Sequence, residues 1–437
     1  MRSRWLAAVA AFAWIVLVAV PVPAADAAPT ARRQVGATDG LWYWQLPDTP
    51  NGLVPVQAWS GAGSAPDGAI YVAGMDHVTN AALYRLGPEG GSAGAPGLTL
   101  AYVGDARAAS QAVGNLRPGE GIEKFHTHPT WLDGRVYLPN LNHSTLDAGY
   151  LEKRGFHWYA YDESDRRLLD LSADRPGGAA VAHGGLVSIA VDRGRGVIYG
   201  AMVPTGDIYA YDVRRNTTRR LGRPDYRRPY VYAGRAMWTD ARGRLYFTAG
   251  AAQPWNGAPY DPAIFDHVHA YDPAAGRFVE LTDWRLHEQR AIDTAQCFPV
   301  AGECYLADGV GRIYRFLERD PETGRPGWQE LGKIWDRPAD KVEATWVLQV
   351  NRARTKAYLM NKSGAVVEFD LGQGRVTRRA NLFRLEPRFA NMWLYGYDAW
   401  DAHGRFYFAA FGKPAAPTRV SLVAIDPERF FRAAARR

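Results

Sequence analysis

The chain has 437 residues and a formal net charge of +7, a length that ordinarily means two or three domains unless a repeat organises it. A basic balance suits an anionic partner such as an acidic polysaccharide or a cell envelope, although an Arg-rich composition accounts for it equally well. No basic run with interleaved aromatics argues for nucleic acid, and after residue 28 no stretch approaches the roughly 20 apolar residues that span a bilayer.

Residues 1–28 carry Arg2 and Arg4, an apolar run from Trp5 to Val22 and a small-residue exit, PAADAA. That order is the charged, apolar and cleavage-site sequence of a secretory signal peptide. The expectation is an exported protein, secreted or periplasmic, monomeric and without a membrane span once the signal is removed. Residues 29–437 would then form the mature domain. Cys297 and Cys304 are the chain's two cysteines. In an oxidising compartment, facing each other across a short hairpin, they are expected to form a disulfide.

A pattern recurs through the mature chain. Seven short strands carry a tyrosine in the same place, at Tyr71, Tyr137, Tyr199, Tyr246, Tyr305, Tyr358 and Tyr407. Most follow a turn rich in Gly, Asp and Arg, such as Asp133-Gly134. Most precede, after a loop of variable length, a strand ending aromatic-Asp or similar, as at Tyr161-Asp162, Tyr211-Asp212, Tyr271-Asp272, Phe369-Asp370 and Ile425-Asp426. A further short strand follows several of these. Short strands, frequent turn signals and no helical period describe antiparallel four-stranded units. The predicted fold is all-β, a seven-bladed β-propeller of four-stranded antiparallel blades, with Leu41–Leu46 pairing with the last blade to close the ring. One propeller replaces the two-domain prior.

In a propeller the start of each blade's first strand and the end of its second lie on the same face, and loops on a rigid scaffold carry function. First-strand starts bring His126, His128, His183, Arg235, Thr294 with Gln296, Trp346, and Tyr395 with Tyr397 to that face. Second-strand ends bring Asp76 with His77, Asn140, Asn142 and His143, Asp308, and Asn361 with Lys362; Trp255 sits on a long loop of the fourth blade. Imidazoles there offer acid, base or metal-ligand chemistry, and aromatic rings offer faces for stacking on sugars. The repeat also removes candidates. Tyr199 recurs as a core position, Asp162, Asp212 and Asp272 recur as turn formers, and His157 and His269 lie inside third strands as structural residues.

The segments KFHTHP, DGRVYLPNLNH and VAHGGLVSIAVDRGRGVIYGAMVPTGDIYAYD resemble the secreted seven-bladed propeller polysaccharide lyases of the ulvan lyase type and related uncharacterised propellers. The resemblance implies β-elimination next to a uronic acid, which needs a carboxylate clamp, a base for the C5 proton and an acid for the leaving oxygen. It places His126 and His143 as the histidine pair of the second-blade cleft. Arg235, chosen from the projection and not from a motif, is the candidate clamp. His128, His183, Trp255, Trp346, Lys362 and Tyr397 are the candidate substrate-binding residues. The family's tyrosine and third-blade arginine are not found around Gly185, Leu186 and Thr205, which leaves Tyr232 or Tyr397 as replacements.

Two other readings stand beside the lyase. A divalent metal ion held by His126, His128, His143 and His183, with Gln296, would neutralise the carboxylate instead, as in the oligogalacturonate-lyase type of propeller. A calcium-dependent lactonase lacks its acidic ligands here, since Asp76 and Asp308 are the obvious channel carboxylates. The non-enzymatic reading is a propeller that binds a glycan or a protein at the envelope.

Overall fold

The computed structural model describes residues 30–32, 34–36, 38–88, 98–142, 153–225, 236–248, 268–281, 294–308, 311–319, 321, 324, 326–335, 345–413 and 416–437. Residues 1–28, read above as a signal peptide, lie outside these.

The described strands pair into seven four-stranded antiparallel meanders, numbered here as blades in chain order. Their first strands are Ala62–Ser64, Thr130–Leu132, Gly185–Asp192, Met237–Thr239, Thr294–Phe298, Thr345–Val350 and Trp393–Tyr397. The fourth strand of blade seven comes from the other end of the chain. Leu41–Gln45 lies antiparallel to Ser421–Ile425, with Leu41 opposite Ile425, which is the closure predicted from the sequence. Two short segments add a fifth strand at this seam: Thr30–Arg32 on blade one and Gln34–Val35 on blade seven.

First strands of neighbouring blades touch from blade three round to blade seven, on to blade one and then blade two. Blade two meets blade three through Leu186 N donating to Asn140 O and through His126. Blades six and seven run parallel at their inner edge, Leu348 opposite Tyr397.

The core is divided as this ring requires. Buried apolar side chains gather into seven clusters, each filling the gap between two adjacent blades. Each cluster holds one repeat tyrosine, and all seven are buried. Loss of hydration pushes the Tyr199 and Tyr305 phenols up to about 12 and the Tyr71, Tyr246 and Tyr358 phenols beyond that, so they neither give nor take protons near neutrality. Tyr246 and Tyr407 donate to Asp240 and Asp401 in the adjoining turns. Repetition had marked them as packing residues, and packing is what they do.

Cys297 and Cys304 face each other in the register of blade five's first two strands and are joined by a disulfide. His157 donates from Nδ1 to Asp170 at 2.9 Å with both side chains sealed from solvent. His269 stacks on Phe247 within blade four. Asp162 and Asp212 accept backbone N–H groups of the turns that follow them, as does Asp272. No helix among the described residues is long and apolar enough to cross a membrane.

Candidate functional site

Blade seven's first strand, Trp393–Tyr397, alternates aromatic with small or aliphatic residues, so Trp393, Tyr395 and Tyr397 share one side of the strand. Trp393 opens that strand on the face chosen by the projection. On the same face, Trp346 is the second residue of blade six's first strand. Thr345 and Val347 pair with Asn361 and Met360 and leave Trp346 between them as a bulge, an arrangement that re-aims a side chain. Trp59 arrives from the segment leading into blade one. The three indoles meet: ring centroids lie 4.8 Å apart for Trp59 and Trp393, 5.6 Å for Trp346 and Trp393, and 6.1 Å for Trp59 and Trp346. All three stay partly exposed. Phe411 packs edge-on against Trp59 from below, and Trp59 Nε1 donates to Gln57 at 2.7 Å.

From this platform a line of rings descends into the centre of the molecule. Tyr395 lies under Trp59, and Tyr397 lies 6.1 Å beyond Tyr395. Tyr397 then meets His128 of blade two, ring edge to ring face at 5.1 Å, with its hydroxyl 2.9 Å from His128 Nδ1. Burial, with help from the Arg193 charge, pushes His128 down to about 4. The imidazole is therefore neutral at neutral pH, and its Nδ1 shares a hydrogen bond with the Tyr397 hydroxyl.

Blades seven and two are not neighbours, and the thinness of blade one between them allows this contact. Its inner edge reads Gly61-Ala62-Gly63-Ser64. A Cβ on Gly61 would come within 3.1 Å of Gly396 Cα, and one on Gly63 would overlap the Pro129 carbonyl oxygen. Only glycine lets both neighbours approach so closely.

The remaining candidates have other occupations. His126 is buried and its Nδ1 donates to Val187 O of blade three at 3.1 Å. His183 is exposed and donates from Nδ1 to Lys153 O at 3.0 Å. The described histidines thus address different partners, and among the described residues no group of three or more His, Cys, Asp or Glu is placed to hold a metal ion.

Gln296, named as a further ligand, is buried and brackets blade six instead: Nε2 donates to Val350 O and Oε1 accepts from Val350 N. Asp76, Asp308 and Asn361 are turn residues. Each accepts backbone N–H groups two to four positions ahead, and Asp308 also accepts from Tyr314. Asn140 donates to Asn142 and accepts from His157 N. Lys362 is exposed and follows Asn361, which pairs with Thr345 next to Trp346. His143, Arg235, Trp255 and Tyr232 lie outside the described residues.

Three residues of this face escaped sequence reasoning. Trp59 and Trp393 were passed over because neither lies in the repeated tyrosine strand. Lys124, inside KFHTHP, is buried, and its Nζ donates to His77 Nε2 at 3.2 Å. Burial and the Lys124 charge push His77 down to about 4. The placement of Trp346 and Trp393, each within the first two residues of a first strand, was the signal available for the platform.

No protein-family model and no curated protein matches this sequence. Among solved structures the chain is similar to the one described as "Crystal structure of RRP9 WD40 repeats", with a TM-score of 0.51 and 10% identity over 90% of this chain and 99% of that one. It is also similar to "Structure of U3-55K", with a TM-score of 0.48 and 11% identity over 85% and 96%. At such identity the first likeness carries the fold alone, and that fold is a β-propeller.

Proposed function

We propose that the protein is an exported binding propeller that holds a carbohydrate chain against the face formed by Trp59, Trp346 and Trp393. The observation that carries this reading is the meeting of three partly exposed indoles, two from the first strands of blades six and seven and one from the segment leading into blade one. They pack on the edge of a core cluster yet keep part of their surface in solvent, unlike the repeat tyrosines, which are buried. Indole faces stack on the apolar faces of sugar rings while their edges stay wet. Lys362 suits a chain bearing carboxylates, as does the net charge of +7. Export rests on residues 1–28 and is supported by the disulfide.

Titration with uronate-containing and neutral oligosaccharides, followed by tryptophan fluorescence, tests the reading. The expected result is quenching that Trp346→Ala and Trp393→Ala each weaken by about tenfold. Unaltered binding in both variants would move the ligand elsewhere, and a response to protein partners alone would replace the carbohydrate.

A second reading, β-elimination, is favoured by one observation, the hydrogen bond between the Tyr397 hydroxyl and Nδ1 of a neutral His128. That pair offers the proton transfers the reaction needs, in the role for which Tyr397 stood as replacement. His126 and His143 are its further catalytic candidates and Arg235 its clamp. Ultraviolet absorbance of the unsaturated product, lost in Tyr397→Phe and His128→Ala, would establish it. Binding without product leaves the propeller as a binding module.

A further inference from the structure

The rings between the indole platform and His128 form an unbroken series. Centroids are 5.6 Å apart for Trp346 and Trp393, 4.8 Å for Trp393 and Trp59, and 6.4 Å for Trp59 and Tyr395. The series continues with 6.1 Å from Tyr395 to Tyr397 and 5.1 Å from Tyr397 to His128. Each step lies within the range of direct aromatic contact, about 4.5–7 Å. Electron exchange between rings weakens steeply with separation, so touching rings carry an electron where isolated rings do not.

The two ends of the series differ in chemistry. At the surface, Trp59 Nε1 donates to the Gln57 amide oxygen at 2.7 Å, and an amide takes up no proton near neutrality. At the inner end, the Tyr397 hydroxyl shares a 2.9 Å hydrogen bond with Nδ1 of His128. His128 is a neutral imidazole, so in the tautomer with its proton on Nε2 it takes a proton at Nδ1.

That difference gives the series a direction. Removing an electron from a phenol makes its hydroxyl a strong acid, and a cation held away from water is costly. A phenol therefore oxidises most readily where a base already meets its hydroxyl, and Tyr397 fulfils that condition. The weak basicity of His128 does not prevent the transfer, because the oxidised phenol is far the stronger acid. Repeat tyrosines also meet acceptors, as Tyr407 meets Asp401 at 2.8 Å. Tyr407 and its ring neighbour Trp44 are, however, sealed from solvent.

We propose that the platform and the aromatic line form a one-electron relay, with Tyr397 as the redox-active residue and a one-electron oxidant in solvent as the substrate. The oxidant takes an electron from an indole of the platform. Electrons then move outward, from Tyr395 to the indole and from Tyr397 to Tyr395. As Tyr397 loses its electron, its O–H bond breaks and the proton forms an N–H bond at His128 Nδ1. The products are the reduced oxidant, a neutral tyrosyl radical and an imidazolium, so the protein has lost one electron and no proton. The relay needs no bound carbohydrate and no elimination chemistry, and it stands or falls apart from both.

Photo-oxidised tris(bipyridyl)ruthenium, a one-electron oxidant, tests the relay on the full mature chain without any glycan. Electron paramagnetic resonance of frozen samples should show a tyrosyl signal that Tyr397→Phe abolishes, leaving indole radicals. His128→Gln keeps a hydrogen-bonding group but no base, and should lower the tyrosyl yield by about tenfold or more. Trp59→Leu interrupts the line and should lower it likewise, while Tyr407→Phe should leave it unchanged. Circular dichroism checks that each variant folds. Mass spectrometry of the wild-type chain with a spin trap should place the adduct at Tyr397 without any substitution. Absence of a tyrosyl signal in the wild-type chain overturns the proposal, as does a signal undiminished in Tyr397→Phe or an adduct on another tyrosine. A yield that Trp59→Leu leaves intact, or that Tyr407→Phe lowers equally, overturns the route. An undiminished yield in His128→Gln overturns the imidazole as proton acceptor.

Discussion

His128 stands at the inner end of the aromatic line. Its environment depresses its pKa to about 4, as that of His77 does, while an imidazole in an unfolded chain titrates near 6.5. Between those values the unfolded chain binds more protons than the folded one. The stability these residues contribute is complete above about pH 6.5 and is lost as pH falls towards 4. The midpoint of thermal unfolding should therefore fall between pH 7 and pH 5, and fall less in His128→Gln; an unchanged slope would assign the acid sensitivity to other groups. The roles of His128 and His126 were only partly legible in the sequence. Non-recurrence singled both out, but it could not show that His126 is committed to a carbonyl of the next blade. That bond depends on how two blades dock, which no local pattern encodes.

At the scale of elements, the blades are tied at their inner edges by polar side chains reaching to a neighbour's backbone. Gln349 is buried and joins blade six to blade seven, its Nε2 donating to Tyr407 O and its Oε1 accepting from Ala399 N. Gln296 does the same from blade five to blade six, and Thr239 donates to Val191 O between blades four and three. Gln349→Met keeps the volume but leaves both backbone groups without these partners, at about 1–3 kcal/mol each. Urea unfolding should show that loss, with the slope against denaturant unchanged. The strands themselves were legible because their alternation and turns repeat. The brackets were not, because a glutamine in a strand reads as a surface or site residue until its neighbour is known. The thin Gly-Ala-Gly-Ser edge of blade one was equally silent, since it matters through what it lets pass.

At the scale of the whole molecule, stability is shared among seven cores, each owned by two blades. Removing one blade's contribution therefore opens two gaps. Trp44, on the closing strand, is fully buried and its Nε1 donates to Leu98 O of blade one at 3.0 Å, so it joins the last blade to the first. Trp44→Ala should cost about 3–5 kcal/mol. Because the cores are linked in a ring, unfolding should remain one transition; a separate early transition would show that the seam opens alone. This closure was read correctly from LWYWQL, since those aromatics had no other strand to complete.

The same seam sets a clock on biosynthesis. Leu41–Gln45 is synthesised about 380 residues before its partner Ser421–Ile425. At about 5–20 residues per second, the early strand waits roughly 20–80 s for its mate. Throughout that interval blade seven is incomplete, and both ends of the unfinished ring present unpaired strand edges, the surfaces most prone to joining another chain. A nascent chain that stalls before residue 421 cannot complete the ring, so the ring passes its most vulnerable moment just before Ser421–Ile425 is added.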